Sequence, residues 1–177
     1  MKVLEDKLTE YSKYQRVGVF VDVQNMFYSA KRLENAKLNF TKLMKKAVRG
    51  RQLIRGICYI VNNPDIDQEN FIDMLKGNGY EIKSKEIRFR ADGSSKADWD
   101  MGMAIDVISL ADKLDIVVLV SGDGDFVDLV SHIKTKGVFV EALSFRKSTN
   151  EDLVNAVDNY IAIESDLLIR SKRSKRR

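Results

Sequence analysis

The chain's 177 residues, 44% hydrophobic and 32% charged, suffice for one α/β domain with a real core but not comfortably for two. A single cysteine, Cys58, and a single histidine, His132, exclude an internal disulfide and an all-protein zinc cage. The net charge of +4 belongs to the end of the chain: Arg170, Lys172, Arg173, Lys175, Arg176 and Arg177 are six bases without an acid, and without them 24 bases face 26 acids.

Such a tail adds non-specific phosphate affinity or is simply a solvated terminus. No apolar run nears the ~20 residues of a membrane span, and the amino terminus mixes acids with bases where a signal peptide would be apolar. A soluble, unsecreted, cytoplasmic protein is expected, with Cys58 a buried, reduced thiol.

In chain order, residues 1–15 are polar with scattered apolar positions and read as an extension with a short leading helix. Residues 17–21 are short, apolar and rich in β-branched side chains, which predicts a strand buried on both faces, and the pattern recurs at 56–61, 116–120 and 138–143. Helical spacing predicts helices over 25–33, 40–48, 67–78, 99–114, 125–136 and 150–157. Residues 81–89 alternate less cleanly, as an edge strand would, and 90–95 form a polar, turn-rich loop. Gly77-Asn78-Gly79 and Lys136-Gly137 read as helix stops. Strands alternating with helices predict right-handed crossovers and a mostly parallel sheet covered on both sides. The domain spans 16–169 and the basic tail 170–177.

In such a sheet ligands bind at the carboxyl ends of the strands. Asp22 ends the first strand, and Ser121, Asp123 and Asp125 directly follow another, in Val120-Ser121-Gly122-Asp123-Gly124-Asp125-Phe126. Asp22 and Asp125 each also fit a helix cap. Capping does not explain several acids at one sheet edge, where like charges cost stability unless a cation is present. Gly122 and Gly124 are expected to supply backbone angles that turn Asp123 and Asp125 inward, or an ordinary tight turn. On the helix that begins near Lys96-Ala97-Asp98-Trp99-Asp100, Asp100 shares a face with Met103, Ala104 and Val107. Asp98 falls off that face and suits an N-cap with an outer-shell role at most, and Asp106 is structural. Asp22, Asp100, Asp123 and Asp125 together make an all-oxygen pocket suited to Mg²⁺ or Mn²⁺, which implies phosphodiester hydrolysis.

At Val19-Phe20-Val21-Asp22-Val23-Gln24-Asn25, at the Lys96 to Asp106 helix start and at Val120 to Phe126, the sequence resembles the NYN domain proteins of the PIN-like superfamily, in their LabA-like branch, with a weaker match at Phe145 to Leu153. The resemblance spans residues 16–163. It implies a PIN-like three-layer α/β/α sandwich and a Mg²⁺- or Mn²⁺-dependent endoribonuclease acting on single-stranded RNA, with a homodimer compatible. Carried over, its acidic site falls on Asp22, Asp100, Asp123 and Asp125, with Asn25 and Ser121 as polar companions.

Asn25 and Ser121 can bond a metal water or phosphate, or else cap and brace the turn. Lys96 can neutralise a phosphate and Arg146, beside Lys147, can track a nucleic-acid backbone, against the plainer readings of solvated lysine and surface charge pair. Trp99 can stack a base, though packing suits it better, and His132 has no catalytic part. Other enzyme classes fare worse. A haloacid-dehalogenase-like phosphatase needs an aspartate where Gln24 stands, and no dinucleotide fingerprint follows the first strand. A Toprim-like phosphotransfer enzyme and a non-catalytic RNA-binding or regulatory module of the same fold remain the alternatives.

Overall fold

Along the first strand, β1 (Arg16–Asp22), Val17, Val19 and Val21 turn to one face while Phe20 turns to the other, and all four are fully buried. A strand this apolar on both sides has to be covered on both sides. The computed structural model, which describes residues 13–62, 68–86, 88–89, 95–96 and 98–170, shows how. After β1 come helices α1 (Val23–Glu34) and α2 (Phe40–Val48), strand β2 (Gln52–Asn62), helix α3 (Glu69–Gly77) and strand β3 (Glu81–Glu86). Then follow α4 (Asp100–Leu110), β4 (Ile116–Val120), α5 (Val127–Thr135), β5 (Phe139–Ser144), α6 (Glu151–Ala156) and β6 (Asn159–Ala162).

The six strands form one parallel sheet in the order β3-β2-β1-β4-β5-β6. The chain builds outward from β1 to β3, returns across the sheet and builds outward the other way from β4. Right-handed crossovers therefore put the first three helices on one face and the last three on the other. Met26 of α1, Leu43 of α2 and Leu75 of α3 join one core with Val19 and Val118, while Met103 of α4, Val130 of α5 and Leu153 of α6 join the second with Phe20 and Leu119. This is a three-layer α/β/α sandwich. Its order reverses between β1 and β4, so a crevice opens there at the strands' carboxyl ends.

Within the described residues the strands and helices read from the sequence are present, with differences at their ends. The helix read over 99–114 stops at Leu110 and finishes as a 3₁₀ turn, and the one read over 125–136 opens with a 3₁₀ turn at Gly124–Phe126. The irregular 81–89 stretch holds an edge strand only to Glu86. Both glycine stops occur, with Gly79 and Gly137 left-handed at φ 85° and 77°. Strand β6, the opposite edge, was not legible: its four half-buried residues carry no periodic signal, and only pairing with β5 makes them extended. The leading helix, most of the 90–95 loop and the tail beyond Arg170 lie outside the described residues.

One charged side chain sits inside the apolar strand β5. Glu141 is 3% exposed. Arg51 bonds it at 2.9 Å, Arg49 bonds it from the left-handed end of α2, and Arg51 also donates to the α2 carbonyls of Ala47 and Val48 at 2.7 and 3.0 Å. The triad ties the end of α2 to the sheet.

Candidate functional site

Register builds the crevice. Val21 of β1 pairs with Val120 of β4, so the next residues, Asp22 and Ser121, emerge side by side at the sheet edge. Asp22 has extended dihedrals and its Oδ1 accepts the Asn25 N–H at 3.0 Å, the geometry of an N-cap for α1. The Ser121 hydroxyl donates to Asp22 Oδ2 at 3.5 Å and accepts the Asp123 N–H at 3.2 Å. Asn25 Oδ1 accepts the Gly122 N–H at 3.2 Å, and Asp123 Oδ1 accepts the Asp125 N–H at 3.0 Å. Asp22, Asn25, Ser121 and Asp123 are thus knitted into one rigid edge, and Asn25 and Ser121 brace the loop.

Gly122 and Gly124 correct an expectation. Neither has positive φ, so they do not supply forbidden backbone angles. They let segment 148–150 pass close by: a Cβ on Gly122 would stand 3.0 Å from the Ser148 carbonyl oxygen, and one on Gly124 2.5 Å from Asn150 Nδ2. Asn150 in turn caps α6 and donates its N–H to the Gly122 carbonyl at 2.9 Å.

Asp100 is the first residue of α4, whose opposite end buries Val107. Asp100, Asp123 and Asp125 can each offer one carboxylate oxygen, all within 4.8 Å of one another. Asp22 lies outside that trio but close enough to be raised by the charge of Asp123 and for its own charge to act on Asp100. Asp98 also corrects the reading. It does not cap α4, where Trp99 is the N-cap residue and no side-chain cap bond forms; it lines the cleft, and its charge bears on Asp100. Asp106 is structural, accepting from Tyr59 at 2.8 Å and Lys83 at 2.7 Å.

Desolvation, then the charges of Asp123, Asp22, Asp98 and Asp125, push the Asp100 carboxyl up to about 6, from an ordinary 3.8. Desolvation also raises Asp22, against the Asn25 N–H that favours its charged form. Crowded carboxylates with raised proton affinity fit a hard divalent cation, and a donor set made only of carboxylate oxygens suits Mg²⁺ or Mn²⁺ over softer ions. The folded state holds the Asp100 proton more tightly than the unfolded chain. Its ionisation therefore costs stability, with the penalty growing between about pH 4 and 6 and complete above that. In chelator, Asp100→Asn is expected to raise the melting temperature most at pH 7–8 and not at all near pH 4. An equal gain at both pH values would show that charge crowding is not the cause.

A cavity of about 510 Å³ is lined by Asp22, Asp98, Asp100 and Asp123 together with Tyr28, Ser29 and Arg32 of α1. These α1 residues were not singled out from the sequence, although their spacing of three, four and seven from Asn25 puts them on one helical face. Trp99 lines the cavity as a packed residue: its indole N–H bonds the Ile60 carbonyl at 2.8 Å, Tyr59 lies against it, and Lys85 Nζ covers the ring at 4.1 Å. Arg146 is not part of the cavity lining; it is ion-paired with Glu151 at 2.7 Å. The Lys96 side chain lies outside the described residues. Among the described residues no helix is long and apolar enough to cross a membrane.

The chain is similar to known proteins. The chain is 27% identical over 155 residues to the low amplitude and bright protein LabA of Synechococcus elongatus, with 82% of each chain covered. A crystal structure of a protein of unknown function from Vibrio parahaemolyticus RIMD 2210633 has a TM-score of 0.83 and 32% identity, covering 89% of this chain and 98% of that one. A model of the NYN domain matches residues 16–164, from the start of β1 to just past β6. That match takes in both acidic strand ends and the Asp100 helix, and the chain belongs to the NYN domain family.

Proposed function

We propose that this protein is a metal-dependent endoribonuclease that hydrolyses phosphodiester bonds of single-stranded RNA. The convergence of Asp100, Asp123 and Asp125 within 4.8 Å, beside Asp22 and at the strand-order reversal, carries the reading. These four aspartates would hold Mg²⁺ or Mn²⁺, and a bound ion there supplies an acidified water and charge stabilisation for the leaving oxygen. Asp22, fixed by the Asn25 N–H and Ser121, completes the set from the strand end. Asn25 and Ser121 keep the Asp123 loop in place, which preorganises the acids. Arg146, whose exposed pair with Glu151 is worth no more than ~1 kcal/mol, can exchange that partner for a phosphate, and Lys96 is proposed as a second phosphate contact.

The test is direct. Purified protein is incubated with labelled single-stranded RNA or DNA of one sequence, in Mg²⁺, in Mn²⁺ or in chelator. Internal cleavage of RNA in metal alone is expected. RNA bound but left whole in both metals would instead select a non-catalytic RNA-binding module. Deleting residues 170–177 should weaken RNA binding and flatten its salt dependence while leaving cleavage at saturating RNA largely intact. Unchanged affinity at low salt would remove the tail from the binding surface.

A further inference from the structure

The outer face of α1 carries an aromatic ring and a cation at the rim of the acidic cavity that the chemistry of the carboxylates leaves unexplained. Tyr28 is 60% exposed. Its ring touches Phe27 edge-on with centroids 5.7 Å apart. Of the aromatic side chains lining the cavity, Trp99 is already committed to Tyr59, Lys85 and the Ile60 carbonyl, so Tyr28 is the one with an open ring face. Arg32, one helical turn further on, is exposed and lines the same cavity. Among the described residues no carboxylate or carbonyl oxygen bonds its guanidinium, whereas cations such as Arg16, Arg51, Arg55 and Arg146 are ion-paired. It is also the cationic side chain of that lining, which otherwise carries the acids Asp22, Asp98, Asp100 and Asp123.

We propose that Tyr28 and Arg32 form a strand-holding subsite in which Tyr28 stacks an unpaired base and Arg32 binds a phosphate a few nucleotides from the carboxylates. The proposal rests on the nuclease reading for its substrate class. Residues 28 and 32 stand on one face of α1, and Arg32 lies about 15 Å along the helix from Asp22, a span that a few nucleotides cover. A cation sited away from the acids suits a polyanion whose scissile group is drawn to a metal at one end of the cleft. A guanidinium takes a phosphate in bidentate fashion. Stacking needs a base freed from its neighbours, so the subsite selects single-stranded RNA over duplex. Arg32 also sits in the last turn of α1, where a cation favours the helix dipole. A purely structural role of that kind would not register in RNA affinity.

The experiment measures fluorescence anisotropy of a labelled single-stranded oligoribonucleotide and its duplex in Mg²⁺. Asp123→Asn is the common parent, so that the strand stays whole. Arg32→Ala is expected to raise Kd for the single strand several-fold and to reduce the slope of log affinity against log salt by about 0.7, with Arg32→Lys restoring the slope. Tyr28→Ala should raise Kd by roughly tenfold while Tyr28→Phe stays close to the parent, and neither change should alter duplex binding. Circular dichroism melting of each variant confirms that the fold is kept. Unchanged single-strand affinity in both alanine variants, equal losses for duplex and single strand, or a parent that binds no RNA at low salt each overturn the subsite. Cleavage by the chain with its acids unaltered is scored separately, so an intact subsite on an inactive protein would defeat the nuclease reading alone.

Discussion

Asp123→Asn and Asp22→Asn are each expected to lower metal-dependent RNA cleavage by roughly a hundredfold or more, with the melting temperature in chelator held or raised. Asparagine preserves the shape of each side chain and an acceptor oxygen. At position 22 it keeps the bond from the Asn25 N–H, and at position 123 the bond from the Asp125 N–H. It removes one charge from a cluster whose crowding already raises the proton affinity of Asp100 and Asp22. Repulsion falls, cation binding weakens, and stability and activity move in opposite directions. Asp22 discriminates most sharply. Were it only an N-cap, asparagine would cap about as well and cleavage would survive. Wild-type cleavage by both variants in Mg²⁺ and in Mn²⁺, with contaminating nuclease excluded, would rule out the carboxylate site.

The largest stability effect is expected far from the cleft. Glu141→Ala should cost about 3–5 kcal/mol, because it strands the Arg51 guanidinium, itself 6% exposed, without a counter-charge in the core. For a chain of this length that corresponds to roughly 6–20 °C in melting temperature, with the carboxylate cluster left in place. Burial alone would raise the Glu141 carboxyl, but bonding and charge from Arg51 and then Arg49 more than offset it and hold the group below its ordinary 4.5. A depressed carboxyl contributes stability that is present above pH 4.5 and is lost as pH falls through the folded value. Glu141→Gln should therefore flatten the acid limb of the stability profile, read by urea titration at pH 3 to 7. An unchanged acid limb, or a loss under 1 kcal/mol in Glu141→Ala, would show that the triad does not brace the fold.

The sequence by itself determined the buried strands, the helices between them and the acids at their ends. Buried strands must be apolar on every residue and amphipathic helices on every third or fourth, so 17–21, 116–120 and 40–48 announce themselves through local pattern. Once these are strands of a parallel sheet, Asp22 and Asp123 have to emerge at its carboxyl edge, and the face shared by Asp100 and Val107 has to turn inward. The tertiary structure decided what depends on segments distant in the chain. Only the β1–β4 register sets Asp22 beside Ser121, and only packing turns Asp100, Asp123 and Asp125 into a trio with Asp22 alongside. The close passage of Ser148 and Asn150 explains Gly122 and Gly124, which composition had suggested for their backbone freedom. Glu141 looks like a lone acid in an apolar run until Arg49 and Arg51 arrive from 90 residues away or more. Tyr28 and Arg32 read as an ordinary solvated helix face until the fold brings them into the lining of one cavity with the carboxylates. Periodicity records which side of an element is buried, and it carries no information about which other segment does the burying.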